Sequence, residues 1–235
     1  MNGSELGVEI VAQIGPIGIS NTVVTTWGIM LLFTLLALAV RWQLKTEPNR
    51  LQTAAETVLI AIEEALKELL PPGSVRRVLP FVATLWLFVL IANLIGLIPG
   101  LHSPTRDLSA TSALAVLVFV ASHWFGIRGR GFKNHFRHYA EPSIILLPFH
   151  VISEISRTLA LAVRLFGNMM SLEMAALLVL LIAGFLVPVP LLMLHVVEAV
   201  VQAYIFGMLA LIYIAGALEA DTNETLSNSS EENHE

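Results

Sequence analysis

The chain has 235 residues and no cysteine; 56% of it is hydrophobic, 13% is charged, and the formal net charge is −5. A mean hydropathy of +0.77 with about half the charge of a dissolved domain excludes a soluble globular fold, and the negative balance gives no basic field for gripping nucleic acid. Zero cysteines exclude a disulfide framework, a thiol nucleophile and a thiolate metal site.

Residues 1–22 contain Glu5 and Glu9 but no Lys or Arg, so they lack the basic n-region of a secretory signal and are expected to remain as an external N-terminus. A spanning helix needs about 20 mainly apolar residues, and 23–42 supplies the first. The stretch R-W-Q-L-K-T-E-P-N-R follows, and its Arg41, Lys45 and Arg50 assign it to the cytoplasm. Over 51–70 the pattern changes. Leu59, Ile62, Leu66 and Leu69 fall on one helical face and Glu56, Glu63, Glu64, Lys67 and Glu68 on the other, which predicts an amphipathic helix lying on the membrane surface or packed on another subunit.

Residues 78–98 and 110–126 form the second and third spans, with the polar stretch 102–109 outside between them. The loop I-R-G-R-G-F-K-N-H-F-R-H-Y holds Arg128, Arg130, Lys133 and Arg137 and marks the cytoplasmic side, where such a cluster also meets anionic lipid. Two long apolar runs follow, 142–187 and 190–219, joined by V-P-V-P. The first exceeds the length of a perpendicular span, so the pair reads as a long tilted hairpin with its turn outside and the C-terminus in the cytoplasm. Residues 220–235 are polar and read as a mobile tail. The expected fold is therefore a single all-α membrane domain over 1–235, with about five transmembrane helices and one amphipathic surface helix.

Ionisable residues are almost absent from the earlier spans but collect in the hairpin: His150, Glu154, Arg157, Arg164, Glu173, His195 and Glu198, with Asn168 and Gln202 among them. A charge at bilayer depth costs a few kcal/mol even on lenient scales, so each should face water or a partner. Arg164 falls near mid-membrane in a tilted helix, with Asn168 one turn on and on the same face. Arg157 falls near the cytoplasmic interface, within reach of Glu154 three residues earlier. Counted from the turn, Glu173 and Gln202 come to similar depth, and His195, Glu198 and Gln202 make one polar face. Together these four read as a wet half-path from the outside to mid-membrane.

His195-x-x-Glu198 and His150-x-x-x-Glu154 each put two potential metal ligands on one helical face, but neither finds a matching second motif, so no metal is expected. No G-x-S-x-G, Walker loop or dinucleotide fingerprint occurs. No cofactor is expected either, and the chain does not read as an enzyme by itself.

The segment L-A-L-A-V-R-L-F-G-N-M-M-S with Glu173 two residues on, and the later block H-V-V-E-A-V-V-Q-A-Y-I-F-G-M-L-A-L-I-Y-I, resemble subunit a of F-type ATP synthases. The resemblance implies a membrane-embedded stator subunit held against a rotating ring of c subunits, with b subunits of the peripheral stalk and membrane lipids as further partners. It implies two aqueous half-channels carrying H+ or Na+ to and from the ring in a bacterial plasma (inner) membrane. Arg164 matches the family's essential arginine, Asn168 the asparagine one turn later, and Glu173, His195 and Gln202 the polar positions of the outer channel. Glu198 departs from the pattern, since apolar residues are common there, and His150 falls where many members carry a carboxylate. The alternative is a self-contained secondary transporter or channel, which would normally show internal repeats and broken helices; neither is found in the sequence.

Overall fold

The computed structural model describes residues 10–14, 17–42, 50–71, 73–98, 101, 103–130, 147–183 and 188–231. Strands β1 (Ile10–Ile14) and β2 (Ile17–Ser20) are followed by helices α1 (Asn21–Trp42), α2 (Arg50–Leu69), α3 (Val75–Ile95), α4 (Leu108–Arg130), α5 (Leu147–Ala183) and α6 (Pro188–Glu231); a 3-10 turn, Pro104–Arg106, lies between α3 and α4. Five stretches are long and apolar enough to span a bilayer: Asn21–Trp42, Val75–Ile95, Leu108–Arg128, Pro148–Ile182 and Pro190–Leu218. The chain is an all-α membrane protein, with the small hairpin as an addition that the sequence reading treated as loop. Isoleucine recurs through both strands, and the antiparallel register pairs Ile10 with Ser20 and Ile14 with Ile17.

The amphipathic helix α2 lays its apolar face on the body of the protein. Ile62 and Leu66, with Leu70 just beyond the helix, are buried against Val78 and Val82 of α3 and Leu211, Ile214 and Leu218 of α6. Glu56, Glu64 and Glu68 face outward, and Lys67 pairs with Glu63 at 2.8 Å. Between α2 and α3 the chain reverses through Gly73 at φ +94°, a backbone conformation that side-chain-bearing residues rarely adopt.

Helix α6 is the centre of the bundle and packs against α3, α4 and α5. Its buried stripe runs through Ala199, Ala203, Phe206, Ala210, Leu211 and Ile214. Small residues on this stripe let neighbouring helices approach closely, as membrane bundles require. The closest approach is at Gly207, where an added Cβ would sit 2.6 Å from Cδ2 of Trp86. By contrast α5 lies at the rim, with 11% of its span buried against 50% for α6. Leu161, Leu165, Met169 and Leu172 face inward, whereas Ile152, Ile155, Leu159, Val163, Leu177 and Leu178 form a continuous exposed apolar face.

Helix ends differ from expectation at three places. Helix α5 is described from Leu147, so the first residues of the expected 142–187 run and the loop residues Lys133 and Arg137 lie outside the described residues. Helix α6 starts at Pro188, which puts both prolines of V-P-V-P at its head, where the missing N–H groups have no helical acceptor anyway. The same helix continues to Glu231 through most of the segment expected to be a mobile tail. That segment contains no proline or glycine after Gly216, so no residue in it forces a stop.

Candidate ion path

The 3-10 turn is fastened to the end of α3 by buried side chains. Ser103 caps it, its Oγ accepting from the Thr105 backbone N–H at 3.3 Å and donating to the Ala92 carbonyl at 2.8 Å. The Thr105 hydroxyl donates to Asn93 Oδ1 at 2.8 Å. Asn93 is fully buried and is the one carboxamide in α3. Its backbone carbonyl meets Nε2 of His195 on α6 at 3.2 Å. A carbonyl only accepts, so Nε2 carries the proton, and Nδ1 is the nitrogen left to take one up.

Glu173 reaches the same group from α5. Its Oε2 pairs with Nη1 of Arg106 at 2.9 Å. Its Oε1 lies against Gly96, where an added Cβ would be 3.4 Å away. Glu198 is half-buried one turn after His195 on α6. Further along the helices, the Asn168 Nδ2 donates to Gln202 Oε1 at 2.7 Å. Gln202 is buried, and its Nε2, like Nδ2 of Asn93, has no hydrogen-bond partner.

Arg164 stands at the middle of the Pro148–Ile182 span. Its side chain is exposed, one turn before Asn168, and its charge is felt by Tyr213 of α6. Among the described residues it forms no hydrogen bond or ion pair. Two turns earlier, Arg157 does the opposite, pairing with Glu154 at 3.6 Å and stacking its guanidinium over the Tyr213 ring at 4.7 Å. The local pair expected from the three-residue spacing is therefore present. His150 is exposed one turn before Glu154. Among the described residues no group of three or more His, Asp or Glu side chains comes together as a metal site.

Two particulars differ from the sequence reading. Gln202 was expected at a depth similar to Glu173, and its hydrogen-bond partner is Asn168, five residues earlier on α5. Glu173 instead faces the 3-10 turn. Asn93, Ser103, Thr105 and Arg106 were not singled out by the sequence reading. The available signal was Asn93 itself, a lone carboxamide in a mainly apolar span.

Five long apolar helices, with ionisable side chains concentrated along the last two, define a polytopic membrane protein built to bring charge to bilayer depth. The family model described as ATP synthase A chain matches residues 23–215. The chain is 61% identical over 208 residues to ATP synthase subunit a 2 of Pelobacter propionicus, covering 88% of this chain and 91% of that protein. It is 56% identical over 218 residues to ATP synthase subunit a 1 of Hahella chejuensis (93% and 92% covered), and 55% identical over 209 residues to ATP synthase subunit a of Legionella pneumophila (88% and 90%). The chain belongs to the subunit a family of F-type ATP synthases, and it is a membrane subunit with a part in ATP synthesis and ion transport.

Proposed function

We propose that this chain is the ion-translocating stator subunit of the synthase, supplying two half-channels that deliver H+ or Na+ to a ring of c subunits and receive it back. The observation that carries this reading is Arg164: an exposed arginine at the middle of a spanning helix, with no ion-pair partner among the described residues. A guanidinium exposed to hydrocarbon is too costly to leave alone, so a partner with carboxylates covers that face. The exposed apolar residues of α5 around it fit the flank of a helical ring.

The outer half-channel runs by Glu173, His195 and Glu198 to the Asn168–Gln202 pair. The unpartnered amide donors of Asn93 and Gln202 favour ordered water along it, because buried polar groups are otherwise satisfied. Arg164 discharges an arriving ring carboxylate and repels a cation taking the direct route between half-channels. The subunit makes no ATP itself. It resides in a bacterial plasma membrane with its N-terminus outside and C-terminus inside, beside the ring, the b subunits and lipid.

Two experiments test this. Purified in mild detergent, the chain should bring down a ring-forming proteolipid; isolation without one would favour the self-contained transporter. For orientation, single cysteines at Asn134 and Val189 of this cysteine-free chain should react with an impermeant thiol reagent from opposite sides of the membrane. Labelling of both from one side would overturn the topology.

A further inference from the structure

We infer that Arg106 is a positioning residue for Glu173, a second arginine of the ion path that is neutralised inside the subunit rather than by a partner. The inference rests on the reading that Glu173 lies on that path. Its basis is the mounting of the pair. Arg106 ends the 3-10 turn, whose Ser103 and Thr105 are buried and tied to the Ala92 carbonyl and the Asn93 side chain at 2.8 Å each. The next residue, Asp107, accepts from the Ser109 backbone N–H at 2.9 Å and from the Thr22 hydroxyl of α1 at 3.1 Å. The guanidinium therefore projects from a platform anchored to α3, α4 and α1, and it holds a carboxylate on a fourth helix, α5.

The pair is largely withdrawn from water, with side-chain exposures of 23% for Arg106 and 14% for Glu173. Its other side is closed by Gly96, against which Oε1 rests. Arg106 thus does two things. It fixes the direction of the Glu173 carboxylate toward the end of α3, where Asn93 and His195 meet. It also offsets the carboxylate's charge, so a passing cation meets a polar step rather than a deep negative well that would retain it. Arg157 has a different arrangement, since its carboxylate partner Glu154 is on its own helix and its contact with α6 is a stack on the Tyr213 ring. Without Arg106, Glu173 is a half-buried carboxylate with its ion-pair partner gone, free to turn away from the path or to be neutralised.

The test uses the complete synthase in vesicles and measures ion flux per assembled complex for Arg106→Met, Arg106→Lys, Glu173→Gln and the double variant Arg106→Met, Glu173→Gln. Arg106→Met should lower flux about tenfold, while Arg106→Lys, which keeps a cation for the carboxylate, stays within about threefold of wild type. The double variant should be no slower than Glu173→Gln alone, because the arginine acts through that carboxylate. Should Arg106→Met not assemble, Arg106→Gln replaces it in both backgrounds. Wild-type flux in Arg106→Met, with Glu173→Gln slow, overturns the role of Arg106 and leaves Glu173 on the path. Multiplying losses in the double variant overturn it too. Wild-type flux in Glu173→Gln removes Glu173 from the path and the inference with it.

Discussion

Arg164→Ala is expected to leave an assembled complex that neither pumps ions on ATP hydrolysis nor synthesises ATP. Assembly survives because the side chain is exposed and forms no ion pair among the described residues, while its neighbours Leu161, Ala162 and Leu165 do the packing. Function fails because a guanidinium at about 4 Å attracts a carboxylate by roughly 4 kcal/mol at an effective dielectric near 20, worth on the order of a thousandfold in the balance between its bound and released ion. A ring carboxylate passing an alanine keeps its ion, and coupling stops. Arg164→Lys should lose most activity as well, since a desolvated lysine can shed its proton and lacks the planar fork. Both variants are to be assayed for ATP-driven pumping and gradient-driven synthesis, normalised to assembled complex. An arginine present only for stability would give fewer complexes, each of them still coupled.

The second large effect is expected from Glu173→Leu combined with His195→Leu. The two side chains approach the end of α3 from different helices, Glu173 against Gly96 and His195 on the Asn93 carbonyl. Replacing both removes the groups able to hand an ion along that stretch, so gradient-driven turnover should fall by about a hundredfold. Each single variant should fall less, because the other group and the Asn168–Gln202 pair remain. Assembly should persist, since leucine is tolerated among apolar helices. Wild-type synthesis rates in the double variant, measured per complex under an imposed gradient, would remove these residues from the path.

Hydropathy made the spans legible, because about 20 apolar residues have few other uses, and the change of period over 51–70 set α2 apart. The sequence could not say where α2 would lie; Ile62 and Leu66 pack against α3 and α6, a tertiary outcome. The N-terminal strands were hidden because segments of five and four residues carry little periodicity. At the site, Arg164, Glu173 and His195 stood out because charge in an apolar run is costly and therefore conspicuous. Arg106 had no such signal. It sits in a polar connection where an arginine is unremarkable by composition, and only the fold brings it to a carboxylate far away in sequence. The Asn168–Gln202 bond was likewise invisible, because the register of one helix against another is set by the fold and not by hydropathy.

The central claim is that one fixed charge keeps the two half-channels apart. Its most direct test is passive ion flux across vesicles carrying Arg164→Ala complexes, with ATP hydrolysis inhibited and flux expressed per assembled complex. The account predicts a leak faster than wild type, because the barrier to a cation crossing directly between the half-channels is gone. A leak no greater than wild type, together with normal ATP-driven pumping by the same complexes, would contradict it.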